Sequence, residues 1–413
     1  MADVKYDYNP PNVVPVPVTT EDSDVPIANA VPITELEPVK VQPTLLKNGG
    51  SSRVVVQHDK TPTQLSAHQV QVLKEQGFPK GIINEINRNS QAFPLRIWVV
   101  DNSGSMMAQD GHRIVETLNK DNVKLVSCSR FMEIQETVDY HGQMAALLQA
   151  PTVFRLLNDP GRAVGPQQFS IAERGEEFIP QDLEVCRRTM YGTQPSGCTP
   201  LTQHVMEIRA NVLAMEEELR NAGTKVAIVL ATDGLPTDRR GYSKPSSRRE
   251  FANALHSLQG LPVWVVIRLC TDDETVVEYY NNLDAQLELS IEVLDDFMGE
   301  SEEVNSYNSW LNYALPLHRV REMGFNHRLL DLLDERKFTL DEVAAFVRLL
   351  FGDECFDGVP DPHMDFTGFL DSLASIVHNE KRQWNPRTKK MEPWINMKKL
   401  KKIYGRGGGC SIM

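Results

Sequence analysis

The middle of the chain alternates between short unbroken apolar runs and apolar stripes with helical spacing. Four of the runs are typical of strands buried on both faces of a sheet, and they cover residues 95–101, 225–233, 262–269 and 290–296. Helical stripes separate these runs, and they cover residues 130–148, 200–221, 247–258 and 274–287. Strands separated by helices of this length pair in parallel through right-handed crossovers. The pattern therefore predicts an α/β fold with a doubly wound, mostly parallel sheet flanked by helices over residues 92–297.

The segments around this core have other patterns. Residues 152–158 and 167–173 flank the turn-rich segment DPGRAVGP and predict a further strand pair. Residues 1–62 are rich in proline and valine without a helical or strand period, which predicts a disordered tail. A short helical hairpin is predicted for residues 63–91, and a helical region for residues 305–380, where apolar stripes recur.

Composition and charge narrow the class of protein. Hydrophobic residues make up 41% and charged residues 24% of the chain, which is enough for a globular core. The net charge of −13 argues against a general nucleic-acid binder, so no nucleic-acid partner is expected. Six cysteines without CxxC spacing predict neither a zinc module nor a disulfide framework. The chain begins without a secretory signal, so a cytoplasmic location is expected.

Polar clusters lie where three of the predicted elements end or begin. Asp101, Ser103 and Ser105 follow the first strand, and Asp233 ends the strand at 225–233. Thr199 stands just before a helix and is predicted to cap it. Open α/β sheets bind ligands at the carboxyl ends of their strands. Two carboxylates and three hydroxyls form an all-oxygen set, which suits Mg²⁺ or Mn²⁺ and does not suit zinc or copper.

These segments, DNSGS, the threonine of GCTPL and the aspartate of ATDG, resemble the metal-ion-dependent adhesion site of a von Willebrand factor A domain. The resemblance covers about half of the chain. It implies an intracellular protein-binding domain in which a partner's Asp or Glu completes the coordination of the metal ion. The chain shows no recognisable base or nucleophile beside these loops and no phosphate-binding loop, so we expect it not to be an enzyme.

One segment departs from the family pattern. About 20 residues, 106–127, separate the metal loop from the first long helix, and the pieces HRIVET and VKLVS within them predict an inserted hairpin. The insert could gate the site, extend the partner surface or be a plain decoration. Asp110 within it could approach the metal site in the unliganded state.

The last residues form a basic tail at 381–413. The ending CSIM fits a C-a-a-X signal, which predicts farnesylation of Cys410. Ten of the residues between 381 and 406 are Lys or Arg and one is acidic. A single lipid needs a second membrane signal, and basic residues near the anchor can supply it: Lys398, Lys399, Lys401, Lys402 and Arg406. A nuclear-localisation or nucleic-acid patch is the alternative interpretation.

Residues 74–86 and 321–333 both contain Gly-Phe followed by two apolar pairs. They resemble the Met-Gly-Phe loop and helices of ubiquitin-associated domains, which implies ubiquitin as a partner. The alternative is two glycine-broken helical hairpins that pack on the sheet.

The leading hypothesis is a metal-dependent protein-interaction adaptor, attached by a prenyl group to the cytosolic face of a membrane. A non-catalytic subunit of an AAA-type motor or ubiquitin-ligase complex is one alternative. A ubiquitin receptor is the other.

Overall fold

The structure is a computed structural model that describes residues 64–405, except for 117–122, 239, 272, 288 and 290. The predictions for the tail at 1–62, for Arg406 and for Cys410 lie outside the described residues. Within the described part of the chain, no helix combines the length and the apolar character needed to span a membrane.

The described residues form ten strands and thirteen α-helices. The strands are β1 Leu95–Val100, β2 Gly111–Glu116, β3 Val123–Cys128, β4 Thr152–Leu156, β5 Gln168–Ile171, β6 Val226–Thr232, β7 Val263–Leu269, β8 Ile291–Leu294, β9 Gln383–Asn385 and β10 Lys390–Glu392. The helices are α1 Ala67–Glu75, α2 Lys80–Ala92, α3 Arg130–Leu148, α4 Ile179–Gly192, α5 Leu201–Ala222, α6 Pro245–His256, α7 Glu274–Gln286, α8 Phe297–Asn308, α9 Leu315–Glu322, α10 Arg328–Glu335, α11 Leu340–Phe351, α12 Phe366–Asn379 and α13 Met397–Tyr404.

Six strands form the central sheet in the order β5-β4-β1-β6-β7-β8. All neighbours are parallel except β5, which pairs antiparallel with β4 at one edge. The prediction of an α/β fold with a mostly parallel sheet is confirmed, as is the strand pair at 152–173. The inserted hairpin is also present, because β2 and β3 pair antiparallel outside the main sheet.

The sheet is covered on both faces because its strands are apolar on both faces. Alternate residues of β1 point to opposite sides: Leu95 and Ile97 lie in a core that contains α5, α6 and α7. Trp98 and Val100 lie in a second core that contains α3 and α4. The burial of apolar side chains on both faces of the sheet stabilises the central strands. It therefore also determines where their carboxyl ends lie.

The remaining helices share a third core. The hairpin of α1 and α2 contributes Leu73 and Ile82 to it, and α11 contributes Phe346 and Leu350. Gly81 in α2 lies so close to α11 that a methyl group there would be 2.3 Å from the carbonyl oxygen of Leu349. Helices α1 and α2 therefore pack with the helices beyond residue 297, because neither helical segment alone can bury its apolar stripe.

The segment after residue 380 is folded as far as Gly405, although its charge pattern led us to treat it as a tail. Trp394, Ile395 and Leu400 are buried in the helical core, and Ile395 forms a bridge with Leu311. Widely spaced apolar residues anchor this segment despite the cations between them. The lysines that we predicted to bind membrane are exposed on α13: Lys398, Lys399, Lys401 and Lys402.

Three helices, α4, α8 and α13, were not predicted. The apolar stripes of the predicted helical region include Trp310, yet α9 begins only at Leu315. Trp310 is instead fully buried in the turn before it, where its ring contacts Phe338 and Phe346. Packing of one large aromatic side chain therefore overrides the helical period there.

Candidate metal centre

The candidate site lies beyond the carboxyl ends of β1 and β6, the two strands at the centre of the sheet. From β1 the chain runs first to β4 and β5 on one side, and then returns to β6, β7 and β8 on the other. The two halves of the sheet therefore diverge between β1 and β6, and this divergence leaves a crevice between their following loops. Asp101 immediately follows β1 and Asp233 immediately follows β6.

Asp101 is held rigidly at the base of the crevice. Its side chain is fully buried, and both carboxylate oxygens accept hydrogen bonds. The backbone N–H of Ser103 donates to Oδ1 at 2.8 Å, and the hydroxyl of Thr232 donates to Oδ2 at 2.6 Å. Burial, together with the nearby charge of Asp233, raises the pKa of Asp101 to about 6. Nearby positive charge would therefore stabilise the ionised carboxylate.

The two serines connect the first loop to Asp233. The hydroxyl oxygens of Ser103 and Ser105 are 3.0 Å apart. Ser105 then donates a hydrogen bond of 2.8 Å to Oδ1 of Asp233, whose side chain is buried. Four of the five predicted ligands thus form one hydrogen-bonded cluster.

Thr199, the fifth predicted ligand, lies beside this cluster. A methyl group at Gly234 would be 3.8 Å from the Thr199 hydroxyl oxygen, so the hydroxyl is next to the loop that carries Asp233. The backbone of Thr199 exchanges two hydrogen bonds with Thr237. Its predicted role as a helix cap is wrong, because Pro200 occupies that position and no side chain caps the helix. The Thr199 hydroxyl therefore remains free of a capping role.

Two asparagines connect the loop after β1 to the loop that carries Thr199, by way of the loop after β4. The side chain of Asn102 donates to the carbonyl of Asn158 at 2.9 Å and accepts from its N–H at 2.8 Å. Asn158 in turn donates to the carbonyl of Cys198 at 2.9 Å. These residues were not predicted from the sequence. Asn102 lies inside the DNSGS motif, so the sequence did point to it. No sequence pattern pointed to its partner, Asn158.

A cation from the protein itself contacts the cluster. Arg130, the first residue of α3, donates from Nη1 to Oδ2 of Asp233 at 2.9 Å. Its Nε and Nη2 donate to the two carboxylate oxygens of Asp110 at 2.7 and 2.5 Å. These hydrogen bonds lower the pKa of the Asp110 carboxyl. Asp110 therefore approaches the site through Arg130, and it makes no hydrogen bond to the predicted ligands.

The donor set fits a hard divalent ion. Asp101 and Asp233 would neutralise its charge. The hydroxyls of Ser103 and Ser105 belong to the same hydrogen-bonded cluster, and that of Thr199 lies next to the loop that carries Asp233. Such oxygen ligands suit Mg²⁺, which keeps some of its water and demands few protein ligands. Burial and the neighbouring charge of Asp233 raise the pKa of Asp101, so a cation held here would favour its ionised form.

A second acidic cluster lies elsewhere and has a different character. Carboxylate oxygens of Glu300, Glu303 and Asp334 lie within 4.8 Å of one another, a spacing that could hold a metal ion. Arg321, however, is buried among these acids and donates to Glu300 and, at 2.8 Å, to Asp334. The guanidinium supplies the positive charge that a metal ion would bring. We therefore interpret this cluster as a buried ion-pair network.

The two Gly-Phe segments face inward. Phe78 and Phe325 are each at most 3% exposed, and Met323 is buried as well. Gly324 packs against the sheet. A methyl group at Gly324 would lie within 3.4 Å of the side chains of both Ala227 and Trp264. The residues on which the likeness to ubiquitin-associated domains depends thus contribute to the core.

No protein-family model matches the chain, and no curated protein matches it.

Proposed function

We propose that the chain is a von Willebrand factor A domain protein that binds a partner through one Mg²⁺ or Mn²⁺ ion. The observation that carries the proposal is the single cluster formed by Asp101, Ser103, Ser105 and Asp233 between β1 and β6. Thr199 lies beside it on a third loop. Residues from three separate loops lie close together, which supports the metal site that the resemblance implies.

Each residue of the cluster has a distinct role in this proposal. The two buried carboxylates would neutralise the ion, and the serine and threonine hydroxyls would supply neutral oxygen ligands. Mg²⁺ held there would leave a coordination position for a carboxylate oxygen from a partner's Asp or Glu. The hydrogen bonds that Asp101 accepts from Ser103 and Thr232 keep its oxygens fixed before the ion binds.

The surroundings of the site support a protein ligand. Met107, two residues beyond Ser105, is 50% exposed, and Tyr242 is 61% exposed. Tyr242 belongs to the loop after β6, where Gly241 packs against Cys198, and the ammonium of Lys244 lies 5.1 Å from its ring centre. Tyr and Met side chains are enriched at protein–protein interfaces. They would flank an acidic residue that reaches the ion.

A membrane surface is the second partner in this proposal. Four exposed lysines on α13 would face anionic lipids, with a farnesyl group on Cys410 as the second anchor. The buried Leu400 supports a role for the helix as a fixed basic surface, because it ties the apolar side of the helix to the protein. The proposed location is therefore the cytosolic face of a membrane.

Calorimetric titration with Mg²⁺ and Mn²⁺ tests the metal site. The wild-type chain should bind one ion, and Asp101→Ala should lose that binding because a charged ligand is removed. Asp159→Ala is the matched control, since Asp159 is exposed on the neighbouring loop after β4. Equal ion binding by Asp101→Ala and the control would refute the assignment.

A further inference from the structure

Arg130 supplies positive charge at the place where the proposed function puts a metal ion. It contacts Asp233 and Asp110 at the same time, through three hydrogen bonds. The Arg130 side chain is 15% exposed, whereas that of Asp233 is fully buried. A guanidinium in this position partly compensates the two carboxylates that are buried in the crevice.

Both carboxylate oxygens of Asp233 already accept a hydrogen bond. Its Oδ1 accepts from Ser105 and its Oδ2 accepts from Arg130. An ion bound among the predicted ligands would lie beside the guanidinium, and the two positive charges would repel each other. Binding of the ion and the contact between Arg130 and Asp233 therefore oppose each other.

Asp110 offers the guanidinium an alternative partner. Both of its oxygens already accept from Arg130, and its side chain is 51% exposed. It immediately precedes β2, and the hairpin is seated on the start of α3. A methyl group at Gly111 would lie 2.8 Å from the carbonyl oxygen of Ser129. The N–H of His112 donates to Glu133 at 2.9 Å. The insert thus keeps Asp110 beside Arg130.

We propose that Arg130 is the resting counter-ion of the metal site and determines which cations enter it. A divalent ion binds by displacing the guanidinium from Asp233, and Asp110 retains the displaced guanidinium. A monovalent ion gains only half the attraction to the carboxylates and does not displace it. This inference rests on the metal site proposed above, and it assigns a role to the inserted hairpin.

Titration with Mn²⁺ alone tests the inference on the full chain. Arg130→Gln should bind Mn²⁺ about tenfold more tightly than wild type, because one charged hydrogen bond no longer competes. Arg240→Gln makes the same change of charge at an exposed position on the loop after β6 and should stay within about twofold of wild type. Saturating Mn²⁺ should also raise the melting temperature of Arg130→Gln more than that of wild type. The inference is overturned if Arg130→Gln gains no more affinity than Arg240→Gln.

A second variant decides the question if Arg130→Gln does not fold. Asp110→Asn removes the alternative partner, so Mn²⁺ affinity should fall about threefold, as for other partly exposed ion pairs. The exposed Asp159→Asn carries the same charge change and is the control. If Asp110→Asn binds Mn²⁺ as tightly as wild type or more tightly, the inference is overturned. If all variants bind Mn²⁺ equally, the inference fails but the proposed metal site stands. Loss of the proposed function is a different result, namely no Mn²⁺ binding by wild type or any variant.

Discussion

Ser105 donates a hydrogen bond of 2.8 Å to Asp233, a residue 128 positions later in the chain. This contact joins the loop after β1 to the loop after β6. Ser105 is exposed, whereas Asp233 is buried, so the bond connects the entrance of the crevice to its base. Local spacing within DNSGS cannot produce this contact, which depends on the pairing of β1 with β6.

Ser105→Ala should lower the affinity for Mg²⁺ about tenfold, because it removes one oxygen ligand and one support of Asp233. The free energy of unfolding without metal should fall by about 1–3 kcal/mol, because Oδ1 of the buried Asp233 loses a hydrogen-bond donor. Ser243→Ala, at an exposed position on the loop after β6, is the matched control. Calorimetry and denaturant unfolding measure the two quantities. Unchanged Mg²⁺ affinity in Ser105→Ala would contradict the role of this hydroxyl.

The positions of Asp101 and Asp233 could be predicted because each follows a continuous apolar run. Such runs form central strands that are buried on both faces, and the carboxyl ends of parallel neighbours must lie at the same edge of the sheet. The proximity of these two carboxylates therefore follows from the apolar pattern of each strand and from the parallel pairing of the strands.

Arg130 could not be found in the same way. Its two partners are 20 and 103 residues away, and the inserted hairpin determines whether Asp110 reaches it. The folded segment 383–404 was missed for a different reason. Its anchors, Trp384, Trp394 and Leu400, are separated by cations and turns, so they form no recognisable period. The contacts of Arg130 and the fold of segment 383–404 both depend on packing between residues far apart in the chain. A pattern among neighbouring residues says little about such packing.

His204 should make the protein sensitive to acid. Burial and the nearby charge of Arg155 lower the pKa of His204 to about 4, and its Nε2 lies 3.0 Å from the carbonyl oxygen of Leu157. Between pH 6.5 and 4 the unfolded chain binds a proton that the folded chain excludes. This residue therefore contributes a loss of up to about 3 kcal/mol in the free energy of unfolding as pH falls through that range.

His204→Gln keeps a donor near the Leu157 carbonyl but cannot titrate. Its free energy of unfolding should therefore depend less steeply on pH between 6.5 and 4 than that of wild type. Urea unfolding at a series of pH values measures the slopes. His256→Gln, at an exposed position at the end of α6, should keep the wild-type slope. A His204→Gln slope equal to that of wild type would show that His204 does not contribute to acid sensitivity.

Arg321 should be essential to the helical part of the protein. It is 1% exposed and donates to Glu292, Glu300 and Asp334. Arg321→Met would leave buried acids without their cation and should destabilise the protein by about 3–5 kcal/mol. Arg336→Met removes a surface partner of Glu342 and should cost less than about 1 kcal/mol. Chemical unfolding compares the two, and added Mg²⁺ should not rescue Arg321→Met if the cluster is an ion-pair network.

Vesicle binding tests the basic surface of α13. Lys398, Lys399, Lys401 and Lys402 are exposed on one short helix whose Leu400 is buried, so they form a compact patch of positive charge. Each lysine near an anionic surface contributes about 1 kcal/mol, an attraction that fades beyond a Debye length of about 8–10 Å. Replacing all four with glutamine should therefore weaken binding of the unlipidated chain to phosphatidylserine vesicles. Binding by wild type should decrease as salt is raised, and neutral vesicles should bind little of either protein.

The control for this experiment changes the net charge equally but at scattered sites. Lys225, Arg240, Lys244 and Arg249 are exposed, and they lie between the end of α5 and the first turns of α6. If the local patch on α13 directs the chain to the membrane, glutamine at these four positions should leave vesicle binding close to wild type. If the overall charge of the protein governs attraction instead, the two quadruple variants should lose binding to the same extent, which would contradict a membrane-facing α13. Cosedimentation at two salt concentrations distinguishes the two results, because a compact patch retains more attraction under screening than the same charges dispersed.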